Sequence, residues 1–147
     1  MKKMLVTALG IFMSIGAYAM SPWEQEVKTL QNTKASQLCE TARNQNTLAA
    51  GECYQKAFKK SDDRLNQLYS SHLKTLSAKD QKVFKAAQLG WIKYKDNHCT
   101  LVSRAYEGGS WEGILNIQCQ IDQTNQRNVQ LLKLKNCGME SPANICE

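Results

Sequence analysis

Two cysteines flank a glycine turn at equal distances in the stretch CTLVSRAYEGGSWEGILNIQC, residues Cys99 to Cys119, which decides the fold. Apolar residues recur at three- and four-residue steps on both sides of Gly108-Gly109-Ser110, a pattern typical of two helices joined at a glycine break. When helices run antiparallel, residues equally far from the turn lie level with each other. Cys99 and Cys119 are centred on Gly109, so the stretch predicts a helical hairpin closed by a disulfide between them.

One further pair of cysteines is also centred on a predicted turn, and the last two cysteines are then left to pair with each other. Cys39 and Cys53 are centred on Asn46, inside a polar segment that we interpret as another turn, which predicts a second disulfide. Cys137 and Cys146 then remain to close the C-terminal tail. Each bridge would stabilise the fold by about 3 kcal/mol. Zinc is the alternative use of the cysteines, but the sequence has no C-x2-C spacing, and we expect no metal.

The rest of the chain is also helical in pattern. Ser21-Pro22-Trp23-Glu24 has the N-cap, the first-turn proline and the glutamate of a capping box. Further helices are predicted over Ala35–Arg43, Leu48–Leu76 with Thr47 as N-cap, Ala78–Tyr106 and Trp111–Leu134, before an irregular tail from Asn136. The helix over 78–106 carries the apolar residues Val83, Phe84, Ala87, Trp91, Tyr94 and Leu101. With 147 residues, 8 glycines and 2 prolines, the fold class is all-α: a small disulfide-braced helical bundle of antiparallel helical hairpins.

The N-terminus has the layout of a secretory signal peptide. Lys2 and Lys3 precede an apolar run from Met4 to Ala17, and Ala17-Tyr18-Ala19 is a small-x-small cleavage site. The run is shorter than the roughly 20 residues that a membrane-spanning helix needs. We therefore expect a periplasmic or secreted protein, cleaved near Ala19, with no membrane span; a buried N-terminal helix is the alternative. An oxidising compartment also favours disulfides.

A group of polar and aromatic residues is brought together by the same level pairing. Trp91 and Arg127 are also centred on Gly109, which predicts a guanidinium packed on an indole. Asp62 and Asn66 are four residues apart on one helix, where they can share a face and reach Arg127 or Lys95. Two interpretations stay open: a polar network that sets helix register, or a pocket for a ligand.

These segments resemble a known family. Asp62 to Tyr69 is similar to its A-D-x-x-L-N-x-x-Y segment, and Gln88 to Cys99 to its Q-x-x-W-x-x-Y-R-D-x-x-C segment, which also contains Asp96. With Gly108-Gly109-Ser110, Cys119 and Thr124 to Arg127, the chain resembles the N-terminal domain of LprI-type lysozyme inhibitors over roughly Leu38 to Leu134. It departs from the pattern at Ser61, where the family has alanine, and at Lys95, where the family has arginine. Since lysine cannot form the planar two-point clamp of an arginine on a carboxylate, the resemblance does not imply a tight Lys95–Asp62 pair.

The resemblance implies an exported helical bundle and, in some members, inhibition of lysozyme. The chain then divides into a signal peptide (1–19), an N-terminal helical extension (20–37), an LprI-like helical domain (38–135) and a disulfide-closed tail (136–147). The expected partner-binding element is the turn Gly108, Gly109, Ser110 and Trp111, because glycines allow close backbone approach and tryptophan anchors interfaces. A tight turn with Trp111 packed on the core is the alternative.

Function is less constrained than fold. Lys93, Lys95 or Arg104 would supply a cation for the carboxylate pair of a glycosidase. Loss of Lys2 and Lys3 from 19 basic residues leaves 17 against 13 acidic ones, a net charge of +4 that gives no steering toward basic lysozymes. The alternative is an interaction module for an envelope component or another protein. Export argues against nucleic acid, and no motif indicates an enzyme or a cofactor.

Overall fold

The computed structural model describes residues 20–137, and this part of the chain is helical with no strand. The helices are α1 (Pro22–Asn32), α2 (Ala35–Leu38), α3 (Glu40–Arg43), α4 (Thr47–Leu73), α5 (Ala78–Ser103) and α6 (Glu112–Cys137), with a 3-10 turn at Arg104–Tyr106. The all-α prediction is confirmed. The predicted signal peptide, and the predicted Cys137–Cys146 pair because of Cys146, lie outside the described residues.

Helix starts are set by side chains that accept hydrogen bonds from the first turn. Ser21 and Glu24 form the predicted capping box, in which the backbone N–H of Ser21 donates to the Glu24 carboxylate at 2.7 Å. Ser77 caps α5 by accepting from the N–H of Asp80. The predicted cap of α4 at Thr47 is wrong by one residue, because the Asn46 side chain accepts from the N–H of Ala49 at 2.8 Å.

Several predicted boundaries are corrected by the structure. The segment over 35–43 is two short helices, broken at Cys39, whose φ of −125° and ψ of 31° are not helical. Helix α4 ends at Leu73 instead of Leu76. The helix predicted up to Tyr106 ends at Ser103 and tightens into the 3-10 turn. Helix α6 continues through Asn136 to Cys137, so these two residues are not part of an irregular tail.

Helix α6 is the central element, because it packs against α1, α4 and α5. Two apolar clusters lie along it. One includes Val27, Leu65, Phe84 and Leu131, and the other is built around Tyr54, Ile117 and Ile121. Burial of one such side chain stabilises the fold by about 2 kcal/mol, so these clusters hold the helices together.

Helix α5 is covered on one side only. Its buried residues are Phe84, Gln88, Lys95, Cys99 and Ser103, which recur at helical spacing on the side that packs against α6 and against side chains of α4. Other apolar residues of the predicted pattern are exposed, namely Val83 (66%), Tyr94 (56%), Leu101 (67%) and Ala87. Polar side chains therefore occupy part of the face that α6 covers, while apolar ones lie in solvent.

The two disulfides predicted from level pairing are confirmed. Cys39 is bonded to Cys53 with a Cα–Cα distance of 5.9 Å, and Cys99 to Cys119 at 5.4 Å. The first ties α2 and α3 to the start of α4, and the second ties α5 to α6.

Candidate partner-binding site

A cation–aromatic cluster lies between α5 and α6, where the sequence predicted Trp91 and Arg127 to meet. The guanidinium carbon of Arg127 is 5.8 Å from the centre of the Trp91 ring. Arg127 also donates from Nε to Gln88 Oε1 at 3.1 Å and from Nη1 to Gln130 Oε1 at 3.0 Å. Its position between the helices lowers the pKa of Arg127, because burial disfavours the charged form.

Lys95 occupies the same side of α5 and is buried, with 8% of its surface exposed. Its ammonium lies 5.4 Å from the Phe58 ring of α4 and 5.6 Å from the Trp91 ring. Its carboxylate partner is Asp96 at 3.3 Å, and Gln120 Oε1 of α6 lies at 3.4 Å. Lys95 therefore links α5 to α4 and α6. This buried position leaves it poorly placed to reach a partner protein.

Asp62 and Asn66 share a face as predicted, but they do not join this cluster. Asn66 donates from Nδ2 to the Asp62 carboxylate at 3.1 Å. In residues 20–137, neither side chain is within hydrogen-bonding distance of Lys95 or Arg127, whose partners are those given above. The predicted constellation is thus two separate groups. The reason is that Lys95 turns toward aromatic rings and its own neighbour Asp96.

The glycine turn connects α5 and α6 at the end of their hairpin. Gly108 has a φ of +77°, a conformation that favours glycine, and its N–H donates to the Glu112 carboxylate at 2.9 Å. The N–H of Gly109 donates to the Tyr106 carbonyl at 2.9 Å. Gly108, Gly109 and Ser110 are exposed. The turn is therefore a defined shape with free surface at its tip.

Trp111 does not stand free at this tip. It is half-buried against the cluster around Tyr54 and Ile117, and the guanidinium of Arg43 lies 5.5 Å from its ring centre. The alternative in which Trp111 packs on the core therefore describes its position. Arg104 and Tyr106 are exposed on the turn instead, and the Arg104 side chain has no acceptor within the described part of the chain.

Residues that sequence reasoning missed lie between α4 and α6. Ser61 Oγ donates to Asn125 Oδ1 at 2.7 Å, and Asn128 Nδ2 donates to the Ser61 carbonyl at 3.1 Å. The signal was present, because the apolar stripe of α6 after Ile121 is interrupted by Thr124, Asn125 and Asn128 before it resumes at Val129. Polar residues on a buried stripe indicate internal hydrogen bonds.

Two longer-range contacts fix the N-terminal helices, and nothing in the local sequence indicates either of them. Arg64 forms a two-point ion pair with Glu26 of α1, both at 2.6 Å, which raises the pKa of Arg64. The Asp122 carboxylate accepts from the N–H of Ala35 at 2.8 Å, and burial raises the pKa of this carboxyl. These contacts hold α1 and α2 against α4 and α6.

The fold and the two disulfides define a small disulfide-braced all-α domain with a cation–aromatic cluster between α5 and α6. Residues 39–131 match the family of lysozyme inhibitor LprI, and the chain belongs to this family. An uncharacterized protein of Rhizobium meliloti (strain 1021), R02472, is 29% identical over 105 residues, which cover 63% of this chain and 73% of that protein. No solved structure matches the chain.

In residues 20–137, no group of three or more His, Cys, Asp or Glu side chains is placed to hold a metal ion. No helix within the same residues is long and apolar enough to cross a membrane.

Proposed function

We propose that this protein inhibits a lysozyme by placing the turn Arg104–Trp111 in the substrate cleft of the enzyme. The observation that carries the proposal is membership of the LprI lysozyme inhibitor family over residues 39–131. Within that match, the turn has the properties of an inhibitory element. Residues 104–110 are exposed, the turn has a defined backbone, and the Cys99–Cys119 bridge braces its base.

Arg104 is the residue that fits the target chemistry. Glycosidases cleave with a pair of carboxylates in a cleft, and an arginine presents planar donors that match a carboxylate. Of the other two predicted cations, Lys95 is buried beside Asp96, and Lys93 is exposed on α5 but lies outside the turn. Arg104 is exposed and forms no ion pair in the described residues.

Export belongs to the same proposal. A lysozyme is met outside the cytoplasm, and the signal-like segment over 1–19 would direct the chain there. Two disulfides at bonding distance are consistent with an oxidising compartment. Sequencing the N-terminus of protein recovered from the periplasm and the medium tests this part, with Met20 as the expected first residue.

The decisive experiment is a muramidase assay with purified oxidised protein against chicken-type, goose-type and invertebrate-type lysozymes. We expect inhibition of at least one class, and Arg104→Ala to weaken it by about tenfold, the worth of one charge-assisted hydrogen bond. Lys85→Ala is the matched control, because Lys85 is an exposed cation on α5 outside the turn.

Two results separate the parts of the proposal. No inhibition of any class at a large molar excess would remove lysozyme as the target and leave an envelope component or another protein as the partner. Inhibition that Arg104→Ala leaves unchanged would retain the activity and reject the turn. Circular dichroism of each variant checks that the helical fold is intact.

A further inference from the structure

The uncovered side of α5 carries a line of exposed residues, which we call the α5 stripe. It consists of Val83, Ala87, Gly90, Tyr94, Asn97 and Leu101. Successive members are separated by four and three residues in alternation, the spacing by which two helices pack along a shared seam. Its large apolar members are well exposed, at 66% for Val83, 56% for Tyr94 and 67% for Leu101. A contiguous apolar line on a surface indicates an interaction site.

Gly90 leaves a gap in the middle of the α5 stripe. It is exposed within the helix Ala78–Ser103, and an added Cβ would meet nothing within 4 Å. Alanine would therefore fit at this position and would be the better helix former. Glycine allows another side chain to approach the backbone closely, and no side chain of residues 20–137 fills this gap.

The α5 stripe is complementary in shape to a second, antiparallel copy of itself. In antiparallel helices, residues equally far from the centre of the contact lie level with each other, the rule that also pairs the cysteines of the α5–α6 hairpin. With Ile92 at the centre, Tyr94 of one copy lies level with Gly90 of the other, and Leu101 with Val83. The largest side chain of the stripe thus meets its gap. Because the arrangement is twofold, each of these contacts forms twice.

Tyr94 is held in place for this contact. Its ring stacks on the ring of His98 in the next helical turn, with 5.4 Å between the ring centres. A side chain that is already ordered loses little rotational freedom on association. In the same register, Ala87 lies level with Asn97, a small residue beside a larger one. Every level of the stripe therefore combines side chains that can pack together.

Opposite charges continue this register at both ends of the α5 stripe. Asp80 lies 12 residues before Ile92 and Arg104 lies 12 residues after it, so Asp80 of each copy lies level with Arg104 of the other. Asp80 accepts from Ser77 Oγ at 2.6 Å, but neither Asp80 nor Arg104 forms an ion pair within residues 20–137. A parallel pair would instead place Asp80 beside Asp80 and Arg104 beside Arg104. Charge complementarity therefore selects the antiparallel arrangement.

We propose that the protein forms an antiparallel homodimer through the α5 stripe, with its twofold axis level with Ile92. From Asp80 to Arg104 the contact is about 36 Å long and one helix wide, which is small for a stable dimer. Lys93 comes close to Lys93 of the other copy across the axis, which weakens the contact further. We therefore expect a reversible dimer with a Kd on the order of 10–100 μM.

The dimer does not rest on the proposed lysozyme inhibition, because it is measured as a molar mass. The two share Arg104, so an Arg104 that is paired in the dimer is not free to enter the cleft of an enzyme. In a muramidase assay at about 1 μM protein the chain is mostly monomeric at this Kd. Inhibition and dimerisation can therefore succeed or fail separately.

The test is sedimentation equilibrium of the purified oxidised protein from about 1 μM to about 500 μM. We expect the average molar mass to rise from that of one chain toward that of two. The mass of one chain at every concentration overturns the proposal. Association that continues beyond two chains also overturns it, since a twofold contact closes on itself.

Gly90→Leu is the decisive variant. It fills the gap that Tyr94 of the other copy would enter, while it adds apolar surface and a better helix former. We expect the Kd to rise about tenfold or more, with the helical fold retained by circular dichroism, and Tyr94→Ala to raise it similarly. Non-specific apolar association would instead strengthen in Gly90→Leu. That result, or an unchanged Kd, overturns the α5 stripe as the contact.

Charge variants test the register. Arg104→Glu places like charge level with Asp80 of the other copy and should raise the Kd about tenfold, and adding Asp80→Lys should restore most of the affinity. Lys93→Ala removes the like-charge pair at the axis and should tighten the dimer. Lys85→Ala is the matched control, because Lys85 is an exposed cation of α5 outside the stripe, and its Kd should equal that of the parent. A double variant as weak as Arg104→Glu alone would overturn the antiparallel register.

Discussion

The guanidinium of Arg127 packs on the indole of Trp91, with 5.8 Å between the guanidinium carbon and the ring centre, and joins α6 to α5 across the bundle. The two residues are equally far from Gly109, as are the bridged cysteines. The α5–α6 hairpin is thus held at two levels, by a disulfide near the turn and by a cation–aromatic contact two helical turns further from it.

The first prediction concerns this contact. Arg127→Ala removes the ring contact and leaves Gln88 without its donor, so we expect the free energy of unfolding to fall by about 2 kcal/mol. Urea unfolding followed by circular dichroism measures the change. Lys82→Ala, an exposed α5 residue, is the control and should unfold like the parent. An Arg127→Ala protein of parent stability that had lost a specific ligand would support the pocket interpretation over the network.

The second prediction separates the two disulfides. Replacing Cys99 and Cys119 with alanine, or Cys39 and Cys53, should lower the free energy of unfolding by about 3 kcal/mol in each case, since the bridged loops differ little in length. Hydrogen exchange distinguishes the pairs. Only the first variant should speed exchange at the Gly109 amide, because only that bridge braces the turn. Equal acceleration in both variants would contradict this.

The third prediction uses glycines in different environments. Gly108→Ala places a side chain at a φ of +77° and should destabilise the protein by about 1 kcal/mol. Gly90→Ala and Gly51→Ala are the comparison variants, and we expect the opposite sign from them. Both glycines are helical, and an added Cβ would meet nothing within 4 Å. Each should raise the free energy of unfolding by about 1 kcal/mol. Thermal unfolding of the three variants checks the signs, and a stabilising Gly108→Ala would refute the assigned turn.

The fourth prediction is a pH dependence. Burial, with a smaller contribution from the nearby Lys135, lowers the pKa of His72 below its usual 6.5, and the ring packs edge-on against Phe84 at 5.1 Å. The unfolded chain then binds the proton more tightly than the folded one, so His72 lowers stability as the pH falls below about 6.5.

The measurement is urea unfolding between about pH 5.5 and 7.5, where the imidazole titrates. His72→Gln should flatten the loss of stability on the acid side, whereas His98→Gln should retain it because His72 is intact. An unchanged pH profile in His72→Gln would assign the dependence to other groups.

Helix positions and disulfide pairing were predictable from the sequence because both are local. The rise per residue of a helix is constant, so the equal distances of Cys99 and Cys119 from Gly109 determined that their sulfurs meet. Cys39 and Cys53 also pair as predicted, although Cys39 itself is not helical. Capping at Ser21 and Ser77 is equally local, since each side chain bonds within its own first turn. The same argument placed Trp91 beside Arg127. The predicted N-cap of α4 was wrong by one residue, because Asn46 and Thr47 are adjacent and both residue types can cap a helix.

Tertiary structure alone decided which face of each helix is covered and what the polar residues do there. Helix α5 packs mainly on α6, so Lys95 is buried while Leu101 is exposed. The apolar pattern of α5 does not predict this burial. Helix α1 is held on α4 by the ion pair between Arg64 and Glu26, which are 38 residues apart in the chain. Local spacing determines the geometry within one helix or hairpin, but burial depends on contacts between distant segments, whose energies the sequence pattern does not record.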